Sequence, residues 1–138
     1  MTDDGLVAKK LAFIETCVAQ LRTMARPDQI ETDVREERFV EHTLQLAIQA
    51  ALDVASHIVS DERLGEPNTN GELFELLRRA GWLEEPQCAT LRKMAGFRNL
   101  VVHGYMAVDL AIVRSIVERN LDDLLAFATS IRAKLPEA

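Results

Sequence analysis

Proline and glycine are scarce, at four and six in 138 residues. So few breakers exclude a turn-rich chain and predict long uninterrupted elements. There are two cysteines, Cys17 and Cys88, far apart. That excludes a disulfide-stapled scaffold and predicts free thiols in a reducing cytoplasm. Positive charge is in deficit: 16 Lys and Arg face 22 Asp and Glu, a formal net charge of −6. A general basic surface for gripping nucleic acid is thereby excluded, though a local basic patch is not. No apolar run approaches the length of a bilayer span, and the opening MTDDGLVAKK lacks the order of a secretory leader. A soluble, cytoplasmic chain without membrane association is expected.

What is present is 48% hydrophobic and 28% charged, the balance of a globular chain with one domain over residues 1–138 and one core of ordinary size. Val7, Leu11, Ile14, Val18, Leu21 and Ala25 recur at helical spacing and stop at Pro27. A second seam runs through Val40, Leu44, Ile48, Ala51, Ala55 and Ile58 to about Ser60, with Thr32 or Asp33 as its cap and the charged run 35–38 as a solvated opening turn. GEPNTNG, residues 65–71, reads as a loop. A short helix follows and closes at Gly81, with Trp82 and Leu83 as apolar contacts past its end. Pro86 suits the first position of the next helix, which carries Leu91, Met94 and Ala95. Gly104 is placed like a residue just beyond a helix end, where positive φ is needed. Asp109 caps a last helix with the seam Val113, Val117, Leu121, Leu124, Ala128, Ile131 and Leu135, stopped at Pro136. No segment reads as a strand. The expected fold is all-α: an up-and-down four-helix bundle with an additional short helix.

The segment FRNLVVHGYM, residues 97–106, sets Arg98 and Asn99 five and four residues before His103, with the chain's single tyrosine at 105. On a straight helix Arg98 and His103 lie ~140° apart, so spacing alone does not place them on one face. At a helix end the imidazole is favoured in its protonated form by ~0.3–1 kcal/mol. Such a histidine can cycle between acid and base near neutral pH, and an arginine beside it can hold a phosphate. The plain alternative is a surface arginine and a helix-terminal histidine.

The wording of this segment resembles the R-x4-H-x-Y signature of the HepT-like toxins, a branch of the HEPN superfamily. The likeness extends over about residues 40–125: LQLAIQAALDVASHIV at 44–59, the polar loop, a short helix ending at Gly81, then FRNLVVHGYMAVD. The resemblance implies the toxin of a type VII-like toxin–antitoxin pair, a metal-independent endoribonuclease acting as a homodimer on RNA, with no cofactor. It implies an MntA-like nucleotidyltransferase antitoxin that transfers AMP to the motif tyrosine. Arg98 and His103 would then be catalytic, Asn99 the support of the arginine, and Tyr105 the modified residue. The chemistry suits that assignment, since RNA supplies its own nucleophile, the 2′-hydroxyl. Cleavage needs a base, an acid and positive charge at the phosphate. Paired copies bring two histidines to one cleft. The alternative function is a catalytically silent HEPN module that binds a nucleotidyltransferase or a nucleotide. A plain helical interaction protein is a third class.

Gln45, Gln49, Asp53, His57 and Ser60 form a polar stripe about 100° round from the apolar seam of their helix. Asp53 and His57, one turn apart, can bond each other and support the site from below, or the stripe can be a solvated or interhelical face. Two such ligands without a second pair are too few for a metal site. Arg78, Arg79, Arg92, Lys93 and Arg114 can guide RNA or keep the surface soluble. Trp82 and Phe97 suit the core better than base stacking, and His42 sits among charges in solvent.

Overall fold

The computed structural model describes residues 3–103 and 109–135, with His103 in its backbone only. The helices are α1 (Asp4–Met24), α2 (Val34–Asp61), α3 (Asn70–Arg79), α4 (Glu85–His103), α5 (Leu110–Ser115) and α6 (Leu121–Lys134). A single 3₁₀ turn, Pro27–Gln29, follows α1, and a π turn, Ile116–Asn120, joins α5 to α6. No strand occurs among the described residues. α2 is the central rod and packs on α1, α3, α4 and α6, while α6 also packs on α1 and α4. Four helical rods, with α5 and α6 as one of them, thus make the expected bundle, and α3 is the extra short helix across α2 and α4.

The caps follow from single side chains. Asp3, Asp33, Thr69 and Asp109 each sit in extended backbone and accept the amide N–H two or three residues on, removing one orphan donor per helix. Of the two residues suited to cap α2, Asp33 is the one that does so, accepting from the Arg35 N–H at 2.9 Å. The seams read from the sequence are buried in α1 and α2. Three boundaries differ. Thr69 caps inside the polar loop, so α3 takes in Asn70 and Gly71. α4 opens at Glu85, which puts Pro86 second. The last helix is broken by the π turn, which lets Ile116 and Val117 both turn inward. The places expected for Gly104 and Pro136 lie outside the described residues.

Gly81 takes φ +85 just past α3, and the Trp82 N–H closes back on the Leu77 carbonyl at 2.9 Å, the left-handed cap that glycine permits. Leu83 is buried, and Trp82 is half-buried with the Lys134 ammonium 5.7 Å from its ring centre. Phe74 meets Phe127 edge to face at 5.8 Å, pinning α3 to α6. Phe97 is core. Both cysteines are buried free thiols, and burial, helped by the Glu75 carboxylate, pushes Cys88 up to about 11. No helix among the described residues is long and apolar enough to cross a membrane.

Candidate active site

The site grows from the junction of α3 and α4. Thr69 accepts the Glu72 N–H at 3.2 Å, and the Glu72 carboxylate accepts the Asn68 N–H at 2.7 Å. This reciprocal cap fixes the end of the loop and places Asn70 at the first position of α3. On α4, more than three turns in, Arg98 donates from Nη1 to Asn99 Oδ1 at 3.0 Å. Asn70 donates from Nδ2 to the same oxygen at 3.1 Å. One amide oxygen therefore takes a donor from its own helix and a donor from α3. All three side chains are half-buried. Arg98 Nε is buried and, among the described residues, has no partner. Asn99 thus bonds Arg98 and Asn70 alike, and Asn70 has no mark in the sequence beyond sitting in a polar loop.

α4 ends at His103, five residues after Arg98. That offset is a rise of ~7.5 Å and a turn of ~140°. The His103 side chain and the whole of Tyr105 lie outside the described residues.

The basic residues divide. Arg78, Arg79 and Arg92 gather on one carboxylate, Glu75. Arg78 forks onto it, Arg79 Nε lies 3.4 Å away and Arg92 Nη1 3.9 Å away. The Arg78 hydrogen bonds hold the Glu75 carboxyl far below its ordinary value of 4.5, at about 2. Arg92 also lies over Gly71, where a Cβ would sit 3.7 Å from its Nε. Arg79 and Arg92 stay exposed and keep donors for an anion. Lys93 is exposed on α4 and lines a cavity of about 270 Å³ with Ile112 and Ser115. Arg114 is paired to Glu118 and Glu31.

A carboxylate held down in the folded state stabilises it at pH values above the unfolded pKa, and that contribution is lost as pH falls toward the folded value. The unfolding free energy of the chain is therefore expected to drop between pH 4.5 and about 2, and less steeply in Glu75→Gln. Urea denaturation at roughly pH 5 and pH 3 checks this. Equal drops in both proteins would mean that the arginine cluster does not lean on Glu75.

The polar stripe of α2 turns toward α1. Asp53 accepts from Gln49 Nε2 at 2.8 Å and from Lys10 Nζ at 3.1 Å. His57 Nε2 accepts the Asp3 N–H at 2.9 Å. Asp53 and His57 do not bond each other, because a cation and a free backbone donor from α1 are the better partners. Neither is bonded to Arg98 among the described residues. Among the described residues Gln49 Oε1 is buried without a partner. His42 is exposed. Among the described residues no three His, Cys, Asp or Glu side chains gather as a metal site would require.

With this geometry in place, comparison with known proteins is informative. The sequence pattern of the family described as ribonuclease HepT-like matches residues 14–131. An mRNA nuclease HepT of Shewanella oneidensis is 30% identical over 95% of this chain and 99% of its own length. A tRNA nuclease HepT of Aphanizomenon flos-aquae is 32% identical over 59% of this chain and 56% of its own. A solved structure of the tri-AMPylated Shewanella oneidensis HEPN toxin in complex with MNT antitoxin superposes with a TM-score of 0.87 at 30% identity, covering 97% of this chain and 100% of that one. An arginine supported across two helices, on a helix ending in histidine, thus sits in a chain that belongs to the HepT-like ribonuclease family.

Proposed function

We propose that this protein is the toxin of a toxin–antitoxin pair, a metal-independent endoribonuclease that works as a homodimer and is silenced by AMP transfer to Tyr105. The strongest support is Arg98, held through Asn99 on α4 and followed at the helix end by His103. In the reaction, one imidazole takes the proton of the 2′-hydroxyl, and that oxygen attacks the adjacent phosphorus. The bond to the 5′-oxygen breaks, and a second imidazole, protonated, gives that oxygen its proton. The products are a 2′,3′-cyclic phosphate and a 5′-hydroxyl. Arg98 offers a fixed cation to the phosphate as charge builds on it. Lys93, Arg92 and Arg79 are candidate contacts for the flanking strand.

One histidine per chain supplies one proton transfer at a time, which calls for a second copy. The outer face of α4 suits that copy. Gly96 and Leu100 lie one turn apart on that face, and His103 follows three residues on in sequence. A Cβ at Gly96 would meet nothing within 4 Å, and Leu100 is 47% exposed. Glycine inside a helix costs about 1 kcal/mol against alanine, and a bare face where another helix can approach closely accounts for it. The AMP-bearing state of the Shewanella toxin in complex with its antitoxin supports a nucleotidyltransferase partner, and Tyr105, the single tyrosine, is the proposed acceptor.

Expression of the chain alone is expected to arrest growth with loss of intact RNA, and the purified chain to scatter light as a dimer at micromolar concentration. Normal growth with intact RNA would leave the silent nucleotide- or partner-binding module as the function. Monomer alone would remove the paired-histidine site.

A further inference from the structure

We propose that Asn70 is a positioning residue for the cleavage site: it sets the Asn99 amide, and through that amide the guanidinium of Arg98. This rests on Arg98 being the group that meets the phosphate. Arginine carries only donors, so the Asn99 atom facing Arg98 must be the oxygen. That fixes the polarity of the next link, and Asn70 must present its NH₂. Asn99 cannot hold Arg98 unaided. It is the neighbouring residue on the same helix, and the outer torsion of an asparagine is soft. The restraint comes from a second helix, through the 3.1 Å bond from Asn70 Nδ2 to the oxygen that also takes Arg98 Nη1 at 3.0 Å. Arg98 Nε contributes no restraint, since it is buried and has no partner among the described residues. The pointing of the arginine thus depends on how α3 is docked on α4, and the cap at Thr69 with Glu72 sets where Asn70 stands.

The informative substitution is Asn70→Asp. It keeps the size of the side chain and puts an anion in the first turn of α3, where the helix dipole favours it. A residue that only held α3 in place would tolerate that change. A positioning residue would not, because a carboxylate facing the Asn99 oxygen turns that amide round or draws Arg98 to itself. The expected result is a fall in kcat for RNA cleavage on the order of 10- to 100-fold, with KM and the melting temperature nearly unchanged. In an Arg98→Ala background the same substitution is expected to have no further effect, since the two act as one unit.

A second measurement does not depend on activity. The Arg98 Nε–H resonance in a ¹⁵N-labelled sample, identified by its loss in Arg98→Lys, is expected to shift and broaden in Asn70→Asp. Wild-type kcat in Asn70→Asp, an unmoved Arg98 resonance, or an additive loss in the double variant would each overturn the assignment. A wild-type chain that cuts no RNA, with the resonance moving as expected, would instead overturn the ribonuclease reading and leave the Asn70–Asn99–Arg98 relay standing.

Discussion

Arg98→Ala and His103→Ala are each expected to cut RNA about 10²–10⁴-fold more slowly than the wild type, with helical circular dichroism retained. His103 is the last residue of α4, where a side-chain truncation leaves the packed turns intact. Arg98 is the more telling case. Its Nε is buried and, among the described residues, unpaired, a desolvation cost of about 1–3 kcal/mol. Removing the side chain relieves that cost, so the melting temperature of Arg98→Ala is expected to hold or rise while cleavage collapses. A residue kept for stability would behave in the opposite way. Cleavage is also expected to survive EDTA; its abolition would mean that a metal supplies the charge now assigned to Arg98.

The same substitution separates a shared site from two independent ones. If one copy's His103 is base and the other's is acid, a dimer of one wild-type and one His103→Ala chain lacks half of each proton relay. Such heterodimers, isolated with two affinity tags, are expected to be as slow as the altered homodimer. Half of wild-type activity would mean that each copy cuts alone, and the argument for pairing would fall.

Much of this architecture can be read from the chain because it is set locally. The seams of α1 and α2 depend only on spacing, and Asp33 and Asp109 cap because their own side chains reach amides two residues on. That Asn99 supports Arg98 is implied by the family likeness and not by spacing. What spacing cannot give is the neighbour on each flank of a helix. The stripe of Gln49, Asp53 and His57 has the expected azimuth on α2, but which helix faces it is decided by packing, and it meets Lys10 of α1 and the cap residue Asp3. Three arginines were visible, but not their gathering on Glu75, which requires α3 and α4 side by side. Asn70 is the sharpest case: 29 residues from Asn99 and in a loop full of similar residues, it acquires meaning only when α3 docks. The π turn is hidden because Val113, Val117, Leu121 and Leu124 keep spacings of four, four and three, which an ordinary helix also satisfies.

Co-expression with a nucleotidyltransferase partner is expected to raise the intact mass of this chain in steps of one AMP, to abolish its toxicity, and to do neither in Tyr105→Phe. Tyr105 is the single tyrosine, two residues beyond His103 and across a glycine that leaves the backbone free to turn. A phenol there need take no part in cleavage, so Tyr105→Phe alone is expected to cut RNA at close to the wild-type rate. Each AMP on the phenol oxygen brings a phosphodiester with a full negative charge and a bulky base. In the proposed mechanism both would block the RNA phosphate. The added charge competes for Arg98 directly, as a phosphate on any arginine would. Phosphodiesterase removal of the AMP is then expected to restore cleavage in vitro. Full neutralisation by the partner with no change in mass would mean that the antitoxin acts by binding alone, and Tyr105 would lose its role as the switch.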